Sequence, residues 1–546
     1  VVDENRNHFE ISSSPGEGVV NMIGQTNRTP RFRFPFLAAC LLAAVFATGV
    51  LRTYAVRAPD VQQTTEDVGR LVKQAQKLTR KGSLADAEKL LRRAIELEPK
   101  NQNANVALAY VLVKQRRLLE AYSLAYAACK ADPKNSRAFA VLGITLLTAG
   151  RFPEAKTMFY NALHLDTGED LAWAGLGMLE FYENRIDDSI NHLREAVYHE
   201  PLEPDYLFTL AQVSARAEKY KEAAEAYDQF LMVSDKTDTD RRARIKGLIN
   251  FLRYLGQKQS LYITGGEDQT SVNFRLVGNR PVIQLRVNGS PEPLNFVLDT
   301  GSGISVISDK TAQRLKIKPI TRGGFAKGIG GDGQFEIVYG FVRQVDIGDV
   351  KIRNVPVYIR EFHTGTEEVD GYIGLSLISK FLATIDYGKL TFALVKKDTT
   401  DEAAQDEVVS LPLRLTSSGF LSGEVNIEGI DNPLNFIVDT GASVSVISDE
   451  LANLQGVSPF ERGEKMRVIG AAGITDEVPS FLLPKVTFGK HSRSSITAIA
   501  LDLDMINEAS GFQQAGILGG NFLRNYKLTF DFKNSKVTFV PITQEK

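Results

Sequence analysis

Two aspartates stand in segments that repeat each other, and together they offer a defined chemistry. Pro293-Leu294-Asn295-Phe296-Val297-Leu298-Asp299-Thr300-Gly301-Ser302-Gly303-Ile304-Ser305-Val306-Ile307-Ser308-Asp309 matches Pro433 to Asp449 position for position, so that Asp439 answers Asp299. Most differences are aliphatic or small-residue exchanges. Two carboxylates brought together can share one proton, because like charges about 3 Å apart cannot both ionise easily. One then acts as a base toward water while the other acts as an acid, with no metal or covalent intermediate. A single Asp-Thr-Gly reads as a surface turn, whereas two in matched contexts point to a built site.

The elements around each aspartate repeat as well. An apolar run leads into each Asp-Thr-Gly, as expected of a buried strand ending in a tight loop. Gly371-Tyr372-Ile373-Gly374 answers Gly516-Ile517-Leu518-Gly519, and Thr384-Ile385-Asp386-Tyr387 answers Thr529-Phe530-Asp531-Phe532. Alternating Val/Ile/Phe/Thr runs broken by Gly, Asn and Pro predict two all-β lobes, at residues 275–397 and 408–543. Between the paired segments lie two glycine-rich stretches. Ala326 to Gly333 contains Gly328, Ile329, Gly330 and Gly331, and Arg467 to Gly473 contains Ile469, Gly470 and Ala471. Each predicts a mobile hairpin tip.

The paired Asp-Thr-Gly segments, each followed by an apolar-apolar-Gly segment, resemble the aspartic peptidases, the retroviral enzymes and pepsin among them. The resemblance covers about Pro281 to Pro541. It implies peptide hydrolysis by a water activated between Asp299 and Asp439. Thr300 and Thr440 would hold the two loops in register, Gly301 and Gly441 would let the backbone turn, and the hairpin tips would close over bound peptide. Ser302, where the second copy has Ala442, would donate to Asp299 and keep it the more ionised member. Pairing of Asp299 with Asp439 within one chain is the economical arrangement; pairing of equivalent modules in a homodimer is the alternative. An enzyme is one functional class, and a non-catalytic peptide-binding scaffold of the same fold is the other.

Upstream the pattern is helical. Ala75, Ala109, Gly143, Gly177 and Ala211 recur every 34 positions, as do Ala87, Ala121, Ala155, Ser189 and Ala223. Pro99, Pro133 and Pro201 end three of the units. This segment resembles a tetratricopeptide array of five helix-turn-helix units, residues 68–237, which implies binding of a protein partner or recruitment of polypeptide substrate. A helix over 238–258 is expected to cap the stack with a solvated face. The array is thus expected to be separable from the catalytic lobes.

Residues 1–33 predict a disordered tail. Phe34 to Leu51 is uncharged and close to the ~20 residues that span a bilayer, predicting a single transmembrane helix at 34–51. Arg28, Arg31 and Arg33 precede it, which predicts carboxyl-terminal domains in the periplasm or outside the cell. The formal net charge of -2 gives no field to attract nucleic acid. Two cysteines cannot form a disulfide framework. No cofactor is expected, and the absence of a His-Glu-x-x-His or paired zinc-ligand cysteines argues against a metal.

Overall fold

The computed structural model describes residues 67–258, 260–329, 334–362, 369–396 and 409–542. The expected tail and the 34–51 span lie outside these residues, as do Gly330 and Gly331. Among the described residues no helix is long and apolar enough to cross a membrane.

Five antiparallel helix pairs come first: Val68–Arg80 with Leu84–Leu97, Gln102–Lys114 with Leu118–Ala131, Ser136–Thr148 with Phe152–Leu165, Asp170–Tyr182 with Ile186–His199, and Pro204–Arg216 with Tyr220–Val233. The small residues sit where helices cross. A Cβ on Gly143 would meet the Phe159 ring at 2.5 Å, and one on Gly177 would meet Leu193 at 2.6 Å. The side chains of Asn101 and Asn135 accept from Ala104 N–H and Ala138 N–H and so start their helices. Each pair turns through one left-handed residue, Gly82, Arg116, Gly150, Asn184 or Glu218, again 34 apart. The array curls far enough for Arg80 to reach Glu200 at 2.9 Å and Lys114 to reach Asp205 at 2.7 Å, tying the first two units to the end of the fourth and the start of the fifth.

Two β-lobes follow with matching topology. In the first, Leu294–Leu298 runs antiparallel to Arg280–Val287 and parallel to Gly371–Ile373, which in turn runs antiparallel to Val306–Ser308. In the second, Leu434–Val438 pairs in the same way with Leu421–Ile427 and Gly516–Leu518, the latter with Ser445–Ser448. The glycines opening the central strands allow this closeness: a Cβ on Gly371 would lie 2.2 Å from Phe296, and one on Gly516 2.2 Å from Phe436.

The lobes join through a shared sheet. Phe381–Asp386 pairs antiparallel with Tyr526–Asp531, Thr384 opposite Thr529, and the two threonine hydroxyls meet at 3.1 Å on the pseudo-twofold axis. The repeated Thr-x-Asp segments are therefore partners of each other. The first lobe also starts before residue 275. Ile263–Gly266 pairs with Val350–Arg353, and Gln269–Val277 with Thr391–Val395. These strands are short and glycine-containing or alternate with exposed polar residues, which hid them in the sequence.

The array does not stand apart from the lobes, contrary to expectation. Phe512, from the second lobe, is fully buried in the helical core, 5.0 Å from both Phe152 and Tyr182 between ring centres. In return Phe251 and Leu255, from helix Thr239–Leu255, join the β core, Phe251 stacking on Tyr339 at 4.6 Å. That helix was expected to cap the array with a solvated face. Instead it packs on strand Thr321–Lys327, so closely that a Cβ on Gly247 would meet Arg322 O at 2.3 Å. Apolar surface that could have faced water is covered by the neighbouring lobe.

Candidate active site

Asp299 and Asp439 meet at the floor of the cleft between the lobes, both supplied by one chain. Each is fixed from below, Asp299 N–H donating to Ile373 O and Asp439 N–H to Leu518 O, both at 3.0 Å. Beneath them the threonines interlock. Thr300 N–H donates to Thr440 Oγ1 at 3.1 Å, and Thr440 N–H to Thr300 Oγ1 at 3.0 Å. Thr300 Oγ1 donates to Val438 O and Thr440 Oγ1 to Leu298 O, each at 2.7 Å. Both threonines are fully buried, so the ring of four bonds ties the lobes together at the site.

The two glycines are required by close approach. A Cβ on Gly301 would lie 2.3 Å from Asp439 Cγ, and one on Gly441 2.7 Å from Asp299 Cγ. Each loop thus leaves room for the opposite carboxyl. Gly301 N–H donates to Asp299 Oδ1 at 2.9 Å and Gly441 N–H to Asp439 Oδ1 at 2.7 Å.

The aspartates keep a partial opening to the cleft, yet protein surrounds them closely. Burial, the Asp439 charge and a hydrogen bond to Asp439 push Asp299 well above the usual carboxylate range. Burial also raises Asp439, against the pull of N–H groups from Gly441, Ala442 and Gly301. Both carboxyls are thus held above the usual range, and they titrate as one coupled pair that can share a proton.

The expected donation from Ser302 to Asp299 is not made. The Ser302 hydroxyl donates to Ile304 O at 2.8 Å, because the chain folds back over that turn and offers a carbonyl closer to hand than the carboxylate. Ser302 and Ala442 nevertheless occupy equivalent places, their N–H groups each 3.4 Å from the preceding aspartate carbonyl.

Two hairpins project over the cleft, Thr321–Lys327 with Gln334–Ile347 and Glu461–Gly470 with Gly473–Phe488. Their tips touch. Ala472 N–H donates to Ile329 O at 3.3 Å, and a Cβ on Gly328 would lie 2.9 Å from the Ala471 Cβ. Ile469 and Gly470 lie on the second hairpin beside this contact, and Ile469 is largely exposed.

Some residues near the dyad escaped the sequence. Arg216, buried in the array, donates to Thr416 O at 2.6 Å and Ser417 O at 3.1 Å. The adjoining Ser418 O presses on Gly303, where a Cβ would come within 2.3 Å of it. An arginine of the helical domain thereby holds a turn that rests against the Asp299 loop. Arg360 and Tyr372 also lie near Asp299: the Arg360 charge pulls the Asp299 pKa down, and the Asp299 charge helps push the Tyr372 phenol up after burial. Setting the two copies side by side was the signal that could have found them, since their counterparts in the second lobe are aliphatic. Among the described residues, no cluster of His, Cys, Asp and Glu fits a metal.

The aspartyl protease family model matches residues 283–377 and 423–522. The tetratricopeptide repeat model matches residues 72–136 and 174–239. No curated protein matches the chain. A thermophilic tetratricopeptide protein of Thermus thermophilus is similar at 18% identity, over 34% of this chain and 99% of its own, with a TM-score of 0.29. The aspartic proteinase of Irpex lacteus is similar at 14% identity, over 50% of this chain and 98% of its own, with a TM-score of 0.35. Likenesses this distant carry nothing further. The two family models and the repeated geometry show that this chain carries a tetratricopeptide-repeat region followed by two copies of an aspartyl-protease module.

Proposed function

We propose that the chain is an aspartic endopeptidase in which Asp299 and Asp439 are the catalytic residues. The observation that carries this is the pair of carboxyls brought together at the cleft floor, each set against the glycine of the opposite loop. A water held between the two would lose a proton to the ionised carboxyl as it attacks the peptide carbonyl, while the protonated carboxyl donates to the carbonyl oxygen. The tetrahedral intermediate then collapses as the amine leaves with a proton from the dyad. Thr300, Gly301, Thr440 and Gly441 keep the carboxyls in place, and the hairpin tips close over the extended peptide.

On the same proposal the helical array recruits polypeptide substrate or a protein partner. Residues 34–51, by their apolarity, anchor the protein in a membrane with its later domains outside. A non-catalytic scaffold would have no use for a preserved carboxyl pair.

The test is hydrolysis of a mixed peptide library by the purified full chain, with and without a hydroxyl-bearing transition-state mimic. Inhibitable cleavage is expected, and Asp299→Asn and Asp439→Asn should each lose it while remaining folded. Mixing the two inactive variants should restore nothing, since one chain supplies both aspartates. Full turnover in either variant would sink the proposal.

A further inference from the structure

Equivalent positions in the two halves of the cleft carry chemically different side chains. In the first lobe Val306 pairs in parallel with Tyr358 and Ser308 with Arg360. In the second, Val446 pairs with Ile499 and Ser448 with Leu501. Because Ser308 and Ser448 are the same position of the repeat, Arg360 and Leu501 are counterparts. By the same registration Val297 faces Tyr372 where Ile437 faces Ile517. The second half is continuously aliphatic: Val446, Ile499, Leu503 and Ile517 form one buried cluster with Leu501 packed against it. The first half has an arginine in that place.

Arg360 is an unusual arginine. Its guanidinium lies over the rings of Phe335 and Phe362, 5.2 and 5.6 Å from their centres. Its Nε is buried with no hydrogen-bond partner, and Arg360 has no ion pair among the described residues. It borders a cavity of about 500 Å³ of mixed lining, where Ile317, Phe325, Phe335 and Ile359 stand beside Gln313 and Arg322. The acids around that cavity are engaged or outside: Glu336 pairs with Arg322, Asp309 takes the Lys310 N–H, and Glu361 is exposed. On its other side Arg360 pulls the Asp299 pKa down, so its charge is felt at the dyad.

A buried guanidinium donor left without a partner is costly, and a carboxylate satisfies such donors in pairs. Aromatic faces hold the guanidinium plane without consuming its N–H groups, which leaves the fork free for a ligand. We propose that Arg360 selects polypeptides with an Asp or Glu within the few residues on one side of the scissile bond, and an apolar residue at the corresponding place on the other side. This rests on the endopeptidase assignment, of which it names the substrate class.

The experiment uses the purified full chain and peptides that carry Glu or Gln in turn at each position flanking a cleavable bond. Wild type is expected to favour Glu over Gln by about 10- to 100-fold in kcat/KM at one position, the range for a hydrogen bond to a charged group. Arg360→Leu and Arg360→Gln should both erase that ratio, with thermal unfolding showing each variant folded. Leu501→Arg should create a second acidic preference on the opposite side. No preference in wild type, or one that persists in both Arg360 variants, overturns the inference. The same peptides made uncleavable by a reduced bond separate the two ideas. If nothing is cleaved but the Glu forms bind wild type more tightly than the Gln forms, and the Arg360 variants equally, the endopeptidase assignment falls and the acidic selectivity stands. Equal or absent binding in wild type removes both.

Discussion

Replacing Thr440 by valine should loosen the floor of the cleft before it affects anything else. The substitution is nearly isosteric, but it deletes an acceptor for Thr300 N–H and a donor to Leu298 O in one step. Both partners are in a fully buried setting. A buried polar group stripped of its partner costs about 1–3 kcal/mol, so two stranded groups predict a loss of about 2–6 kcal/mol. That is a large share of the roughly 5–15 kcal/mol by which domains are stable. The other half of the ring, Thr440 N–H to Thr300 Oγ1 and Thr300 Oγ1 to Val438 O, is untouched, so the lobes should open locally instead of parting. Hydrogen exchange read on peptides spanning 298–301 is the direct assay. A local loss of about 2 kcal/mol corresponds to exchange about thirty-fold faster at the Thr300 amide. Thr440→Ser keeps the hydroxyl and serves as the control. Equal protection of that amide in the valine and serine variants would refute the reasoning, whatever happened to turnover.

Asp299→Asn should stabilise the protein in a pH-dependent way. The raised native pKa means the folded state holds this proton more tightly than the unfolded chain, so wild-type stability falls as pH rises from the unfolded value near ~4 through the raised value. The neutral amide escapes this, and the gap in unfolding midpoint should widen toward alkaline pH and vanish in acid; a constant gap would contradict the protonation assigned to the pair. Ser302→Ala should leave the acidic limb of the rate profile where it is, because the hydroxyl is committed to Ile304 O; an upward shift would show that it serves the carboxylate after all. Phe512→Ala should cost about 3–5 kcal/mol and release the array from the second lobe, seen as new cleavage of the inter-domain segments by an added protease. Unchanged resistance would mean that the other contacts suffice.

What the sequence disclosed were features written locally and twice. The 34-residue spacing of small residues marked the helix crossings, because each crossing is made within one unit. The repeated Asp-Thr-Gly segments disclosed the dyad, its threonines and its glycines, since the two copies had to remain alike to meet on an axis. Relations made across hundreds of residues were hidden. Phe512 reads as one more β-lobe core residue, and nothing near it in sequence points to Phe152 or Tyr182. Helix Thr239–Leu255 reads as amphipathic, and only the fold shows that a hairpin, not water, lies against it. Ser302 was misassigned because residue type gives a hydroxyl's capacity and not its direction. Arg360 was passed over because its isolation depends on what the flap and the neighbouring strand do not offer.

The left-handed turns of the array carry a consequence for how this protein could have changed its length. Solenoids usually gain or lose whole units freely, since each touches only its neighbours. Here successive turns are committed to different points on the two β-lobes. Arg116 faces the charges of Asp504 and Glu508, Gly150 abuts Asn435, Asn184 donates to Phe532 O at 3.3 Å, and Glu218 pairs with Lys380. Inserting or deleting an inner unit would move every later turn off its partner at once. At Gly82 an added Cβ would find nothing within 4 Å. Of these turns, the amino-terminal one is where units could be added or shed without disturbing the register, and variation in repeat number among descendants of this gene should be confined to that end.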